Sequence, residues 1–246
     1  MKRSFSTIAT CLLFCTSLWA AITYVAGDNF SQGTSSATHT FSGFTVSANS
    51  SKILLDGILI NANGSDQINS VTFNGDSLTV ANTVGSGAFS AAAVYYRLQP
   101  DEVTGDAVAN LAASYRGFQT LVVLSGVDQS SPFRDGDTDS GTTETSSDIT
   151  LTTVAGDFVL SCIGVRNAPG DPGALVPNGH DAEIEELLEA GGNYRGSCLR
   201  KVATGTSTLV GWDWTTATGW AHVAVVVKPS ANITVLLDSQ NRQRRQ

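Results

Sequence analysis

The stretch Leu209 to Pro229, LVGWDWTTATGWAHVAVVVKP, restricts this chain more than any other. It reads as two strands joined by a Thr-Ala-Thr-Gly turn, Thr216 to Gly219. The second strand, Trp220 to Lys228, is so rich in Ala and Val that neither face is left for solvent. A strand apolar on both faces needs a layer above it and a layer below.

The rest of the chain repeats this theme. Ile22 to Val25 reads as a short first strand, Gly27 to Ala37 as a loop of small polar residues, and Thr38 to Val46 as an alternating strand. KILLDGILI, Lys52 to Ile60, is a nearly continuous apolar run for a covered central strand, with Gly57 marking a bulge. In SVTFNGDSLTV, Ser70 to Val80, Asn74-Gly75 supplies the two positive-φ positions of a type I′ hairpin turn. Ala88 to Leu98, Asp106 to Tyr115, Phe118 to Val127, Ile149 to Thr153, Phe158 to Val165, Tyr194 to Val202 and Thr208 to Thr215 follow with turn signals between them. One helix is expected, Asp181 to Ala190, capped by Asp181, stopped by Gly191-Gly192, and acidic enough to lie on a rim. Roughly ten strands without crossover helices predict an all-β, two-sheet antiparallel β-sandwich, jelly-roll-like or immunoglobulin-like, with that one short rim helix.

Met1 to Ala21 has the pattern of a secretory signal peptide: Lys2 and Arg3, an apolar run from Ile8 to Trp19, then Ala20 and Ala21. Neither Cys11 nor Cys15 has the context of a lipid-modified cysteine, and no later stretch approaches the ~20 apolar residues of a membrane-spanning helix. The mature chain is therefore expected to be exported, without a transmembrane anchor. The expected organisation is a signal at 1–21, a sandwich domain at 22–229 and an extension at 230–246.

Loss of Lys2 and Arg3 with the signal takes the formal charge from -8 to -10. That sign argues against nucleic acid, which needs clustered Lys and Arg to neutralise phosphate. Loss of Cys11 and Cys15 leaves Cys162 and Cys198, either bridged in an oxidising compartment or buried as two separate thiols.

The candidate chemistry is thin. Asp135, Asp137 and Asp139 open a polar loop, Asp135 to Asp148, with carboxylates at every second residue, a spacing that suits calcium. Ser140 stands where a calcium loop has glycine, and Ser146 where it has a bidentate Glu; a solvated acidic loop is the simpler reading. Beyond calcium, no cofactor is expected. Trp212 and Trp214 lie two apart and so share a strand face. Trp214 and Trp220 are expected to close the core, while Trp212 is the aromatic that could stack on a sugar ring. His39, His180 and His222 share no ligand spacing, and no Gly-x-Ser-x-Gly elbow supplies a nucleophile. Glu183, Glu185, Glu186 and Glu189 read as a solvated helix face, and with His180 they are the residues a hydrolase would have to use. No catalytic residue is assigned. Asn29, Asn49, Asn63 and Asn232 stand in glycosylation sequons, as chance allows in a Ser- and Thr-rich chain.

The order VTFNGDSLTV, VYYRLQP, LVVLSGVDQSSPFRD, GDFVLSCIG and WTTATGWAHVAVVVKP resembles a β-sandwich module that recurs in secreted bacterial and phage-associated proteins. The resemblance spans about Ile22 to Pro229 and implies an architectural or surface-presentation part without an assigned activity. The departures are the acidic insert, the two cysteines and the tail, where Ile233, Val235 and Leu237 alternate as in a further strand. Such a strand could add to a sheet edge of its own domain or of a neighbour. The first expectation is therefore a non-enzymatic extracellular structural or surface module whose partners are copies of itself, other cell-surface proteins or virion proteins. The second is a carbohydrate-binding or adhesive module using Trp212 and the loop aspartates, and a hydrolase is the third.

Overall fold

The computed structural model describes residues 21–62, 65–86, 90–168, 170–179, 182–188 and 192–231, with the backbone alone for 65 and 182–188. Among them the chain forms β1 (Thr23–Thr45), β2 (Ile53–Ile60), a 3-10 turn, β3 (Ile68–Phe73), β4 (Asp76–Ser77), β5 (Thr79–Gly85), β6 (Ala91–Leu98) and β7 (Thr104–Ser125). There follow β8 (Phe133–Gly141), β9 (Ser146–Thr152), β10 (Phe158–Arg166), β11 (Val176–Asn178), β12 (Ala182–Leu188), β13 (Tyr194–Val202), β14 (Ser207–Asp213) and β15 (Gly219–Val227). The all-β antiparallel sandwich expected from the strand pattern is the observed architecture.

The layering is richer than two sheets. A seven-stranded sheet runs β4-β3-β7-β2-β6-β5 with β1 on β7; a five-stranded sheet runs β12-β13-β10-β15-β8; a three-stranded sheet runs β11-β14-β9. Ile53, Leu55, Leu59, Phe118 and Val122 of the first sheet share one core with Leu160, Cys162, Val223 and Val225 of the second. The other face of the second sheet packs through Val159, Ala224 and Val226 on Ile149, Leu151 and Val210 of the third. On the far side of the first sheet, Leu54, Ile58 and Leu121 meet Phe41, Phe44, Phe73 and Ala107, so the long β1 and β7 carry their other halves back over their own sheet. β2 and β15 are buried at every residue, which is why neither shows alternation in the sequence.

Four expectations are corrected. First, β1 is one strand of 23 residues and not strand, loop, strand. The equally continuous β7 offers it a ladder, and the small residues between take up register shifts such as those between Gln32, Ser36 and Thr38. Second, Ala182–Leu188 is not a rim helix but β12, antiparallel to β13 with a shift between Glu183 and Glu185. Helix propensity is a weak prior, and the open edge of β13 supplies every hydrogen bond that a strand needs. Third, Asp135 to Asp148 is not a loop but most of β8, the turn that crosses to the third sheet and the start of β9. Fourth, Gly57 marks no bulge, since β2 pairs without a shift to both β6 and β7. The Asn74-Gly75 turn is as expected, with φ of 50° and 87° joining β3 to β4.

Candidate functional site

One cluster of side chains with acid–base and nucleophilic chemistry lies between the second and third sheets. His222, central in β15, is fully buried, as is Ser161 on the neighbouring β10. Ser147 of β9 and Trp212 of β14 face them from the third sheet, and Asp139 of β8 pairs with His222 across the ladder.

Their hydrogen bonds run in one direction. Ser147 Oγ donates to Asp139 Oδ2 at 3.0 Å, so it accepts from His222 Nδ1 at 2.9 Å. In the neutral ring this places the proton on Nδ1 and leaves Nε2 to accept from Ser161 Oγ at 2.7 Å. Trp212 Nε1 donates to Ser161 Oγ at 3.2 Å and starts the chain. The sequence Trp212, Ser161, His222, Ser147, Asp139 thus satisfies every donor with an acceptor across five strands of two sheets.

A serine hydroxyl donated to a neutral imidazole is the arrangement that activates a nucleophile. Here the serine lies under a sheet: Ser161 and His222 are each 0% exposed, so no substrate carbonyl reaches Oγ. What the network does in this geometry is tie β8, β9, β10, β14 and β15 together, because each buried polar group would otherwise carry a desolvation cost.

Trp212 is corrected from an exposed sugar platform to a core residue with 0% exposure. It shares a strand face with Trp214, and the fold that buries one buries the other; both join Trp220 in one cluster with Ile163, Val165 and Leu199. Glu144, in the β8–β9 turn, holds the open end of that cluster. Its carboxylate accepts from the Trp220 indole at 3.1 Å and its carbonyl from the Trp214 indole at 2.9 Å. Donation by its own backbone N–H, that of Thr143 and the Trp220 indole holds the Glu144 carboxyl below its ordinary range.

Asp135, Asp137 and Asp139 stand at alternate positions of β8 and do not converge as a loop would allow. Each Oδ1 accepts the N–H of the next residue, at 2.9, 2.8 and 2.9 Å, while Asp135 Oδ2 takes the Thr152 N–H and Asp139 Oδ2 the Ser147 hydroxyl. Among the described residues there is no group of three or more His, Cys, Asp or Glu placed to hold a metal ion. Cys162 and Cys198 face each other across β10 and β13 and form a disulfide, with Cα atoms 4.1 Å apart. Ile233, Val235, Leu237 and His180 lie outside the described residues. Glu185 and Glu186 lie on β12, whose backbone alone is described.

Two further features were not legible beforehand. A surface cleft of about 440 Å³ is lined by Arg116, Arg166, Tyr115, Asn61 and Asn193, with Ser35 and Ser114 beside them. Asn193 Oδ1 is buried there with no hydrogen-bond partner among the described residues. In the first sheet Asp56 is completely buried, and that burial pushes its carboxyl up to about 8 against the lowering effect of the Gln119 amide, which donates to Oδ2 at 2.6 Å. Polar residues inside apolar runs were the available signal for three buried residues: Asp56 within KILLDGILI, Ser161 within FVLSCIGV and His222 within AHVAVVV each demand a partner once buried. No family model, no curated protein and no solved structure matches the chain.

Proposed function

We propose that this protein is a non-enzymatic structural or surface module of an extracytoplasmic compartment. One observation carries the reading: Ser161, His222 and Ser147 are closed from solvent and, with the half-buried Asp139, are joined to one another as a tie between sheets. The Cys162–Cys198 disulfide supports an oxidising compartment. Fractionation of the producing cells, with alkylation of free thiols before lysis and protease treatment of intact cells, tests both parts. Both cysteines protected as a disulfide and the chain accessible from outside support the proposal. Free thiols on a chain confined to the cytosol contradict it. Self-assembly through Ile233, Val235 and Leu237 is a separate element of the proposal. Light scattering of the chain with and without residues 230–246 decides it, and an unchanged mass removes it.

The cleft beside Arg116 and Arg166 favours a second reading, a glycan-binding or adhesive module. Guanidinium, amide and hydroxyl groups together match the carboxylate and hydroxyls of an acidic sugar. A glycan array read with calcium and with chelator tests it. Binding of acidic glycans that Arg116→Ala abolishes supports this reading, and no signal in either condition removes it.

A further inference from the structure

β4, β9, β11 and β12 end their sheets, and three further strands lie at sheet edges: β5 ends one side of the seven-stranded path, β1 pairs only with β7, and β8 ends the five-stranded sheet. An edge strand presents a row of N–H and C=O groups that a strand from another chain can extend. In all three strands an Asp or Asn side chain takes one or more of those donors. Asp28 Oδ1 accepts the Asn29 N–H at 2.8 Å in β1, and Asn82 Oδ1 accepts the Thr83 N–H at 2.9 Å in β5. In β8 the pattern repeats at every second residue, with the N–H groups of Gly136, Thr138 and Ser140 held by Asp135, Asp137 and Asp139.

We propose that these side chains close the three edges to strand addition by a second copy of the chain. Successive residues of an antiparallel strand point their backbone groups alternately toward the partner and away from it. The β8–β15 ladder runs unshifted from Asp135↔Val226 to Gly141↔Trp220, so the N–H groups of Gly136, Thr138 and Ser140 all lie on one side. A strand arriving on that side finds its donors already engaged. It has to displace three carboxylates and bury them against its own carbonyl oxygens, which carry the same sign of charge. The DGDTDS run is thus an edge guard. Contacts between copies of this protein must use surfaces other than these three edges, a conclusion independent of the surface role proposed above.

The test separates the acceptor atom from the charge. Asp139 is left intact because its Oδ2 holds Ser147 of the buried network, whereas the Thr152 N–H bond to Asp135 Oδ2 is lost in variant and control alike. One variant carries Asp135→Thr and Asp137→Thr, which remove the acceptor and favour strand; the control carries Asp135→Asn and Asp137→Asn, which keep a carbonyl oxygen and lose the charge. Light scattering over a range of protein concentrations, in salt high enough to screen surface charge, reads the mass. The Thr pair is expected to associate, with mass at least doubling as concentration rises, while the Asn pair keeps the parent mass. A Thr pair that keeps the parent mass overturns the proposal, as does an Asn pair that associates equally. Should the Thr pair fail to fold, amide exchange in the single variant Asp137→Thr answers the same question. The Thr138 amide is expected to exchange at least ten-fold faster than in the parent, and an unchanged rate overturns the proposal.

Discussion

Gly57 lies against Cys162 across the interface between the first and second sheets: a β-carbon on Gly57 would stand 2.7 Å from Cys162 Sγ and 3.0 Å from Cys198 Sγ. The glycine therefore serves the disulfide of the facing sheet and not a kink in its own strand. Neighbouring contacts repeat the device, since a β-carbon on Gly196 would collide with the Phe118 ring, and that ring stacks at 5.4 Å on Tyr194.

Gly57→Ala is expected to destabilise the protein by about 1–3 kcal/mol, the cost of overpacking a close-packed core. In a chain carrying Cys162→Ala and Cys198→Ala the sulfurs are gone, and the same substitution should cost less than about 0.5 kcal/mol. Urea unfolding of the four proteins gives the coupling. Equal costs in both backgrounds would show that Gly57 is needed for some other reason.

Ser161→Ala removes the acceptor of the Trp212 indole and the donor to His222 Nε2 while leaving both partners buried. A loss of about 1–3 kcal/mol is expected, read by equilibrium denaturation. A neutral result would mean that the Ser161 bonds add nothing to the other contacts between the two sheets.

Asp56 makes stability depend on pH. Its folded carboxyl titrates at about 8 and its unfolded one near the ordinary value of 3.8, so between those limits the folded chain holds the proton more tightly. The contribution is fully present below pH 3.8, falls as pH rises and is lost above about 8, with a slope of up to about 1.4 kcal/mol per pH unit from this group. Asp56→Asn keeps a neutral side chain of the same shape and should flatten the slope. Denaturant midpoints of parent and variant from pH 5 to 8 check this, and parallel curves would contradict it.

Arg134 bonds both oxygens of Asp157, whose side chain is 0% exposed, through Nε at 2.5 Å and a second guanidinium nitrogen at 3.2 Å. Arg134→Ala leaves that carboxylate buried without its cation, and about 3–5 kcal/mol of stability should be lost. Arg134→Ala combined with Asp157→Asn should recover part of it in thermal unfolding, and no recovery would argue against the pair.

Much of the fold was legible where local physics and tertiary context agree. Asn74-Gly75 is a turn in any context because few residue pairs accept two positive φ angles, and the Ala- and Val-rich β15 had no solvent face to offer. The expectations that failed depended on a partner strand remote in sequence. AEIEELL satisfies helical rules until the edge of β13 lies beside it, and DGDTDS has the composition of a polar loop until β15 extends it. Trp212 could be assigned to a strand from sequence, and to the same face as Trp214, yet which face carried the third sheet was not encoded locally. His222 and Ser161 stand 61 residues apart, and only the β10–β15 register brings them within 2.7 Å.

The central claim is that the Ser161–His222 pair is a structural tie and not a nucleophile. Incubating the folded protein with a fluorophosphonate, which phosphonylates serine hydroxyls activated by an imidazole, followed by intact-mass and peptide analysis, tests that claim directly. The expected result is no adduct on Ser161 until the chain is unfolded. A stoichiometric adduct on Ser161 of the native protein, lost in His222→Phe, would contradict it.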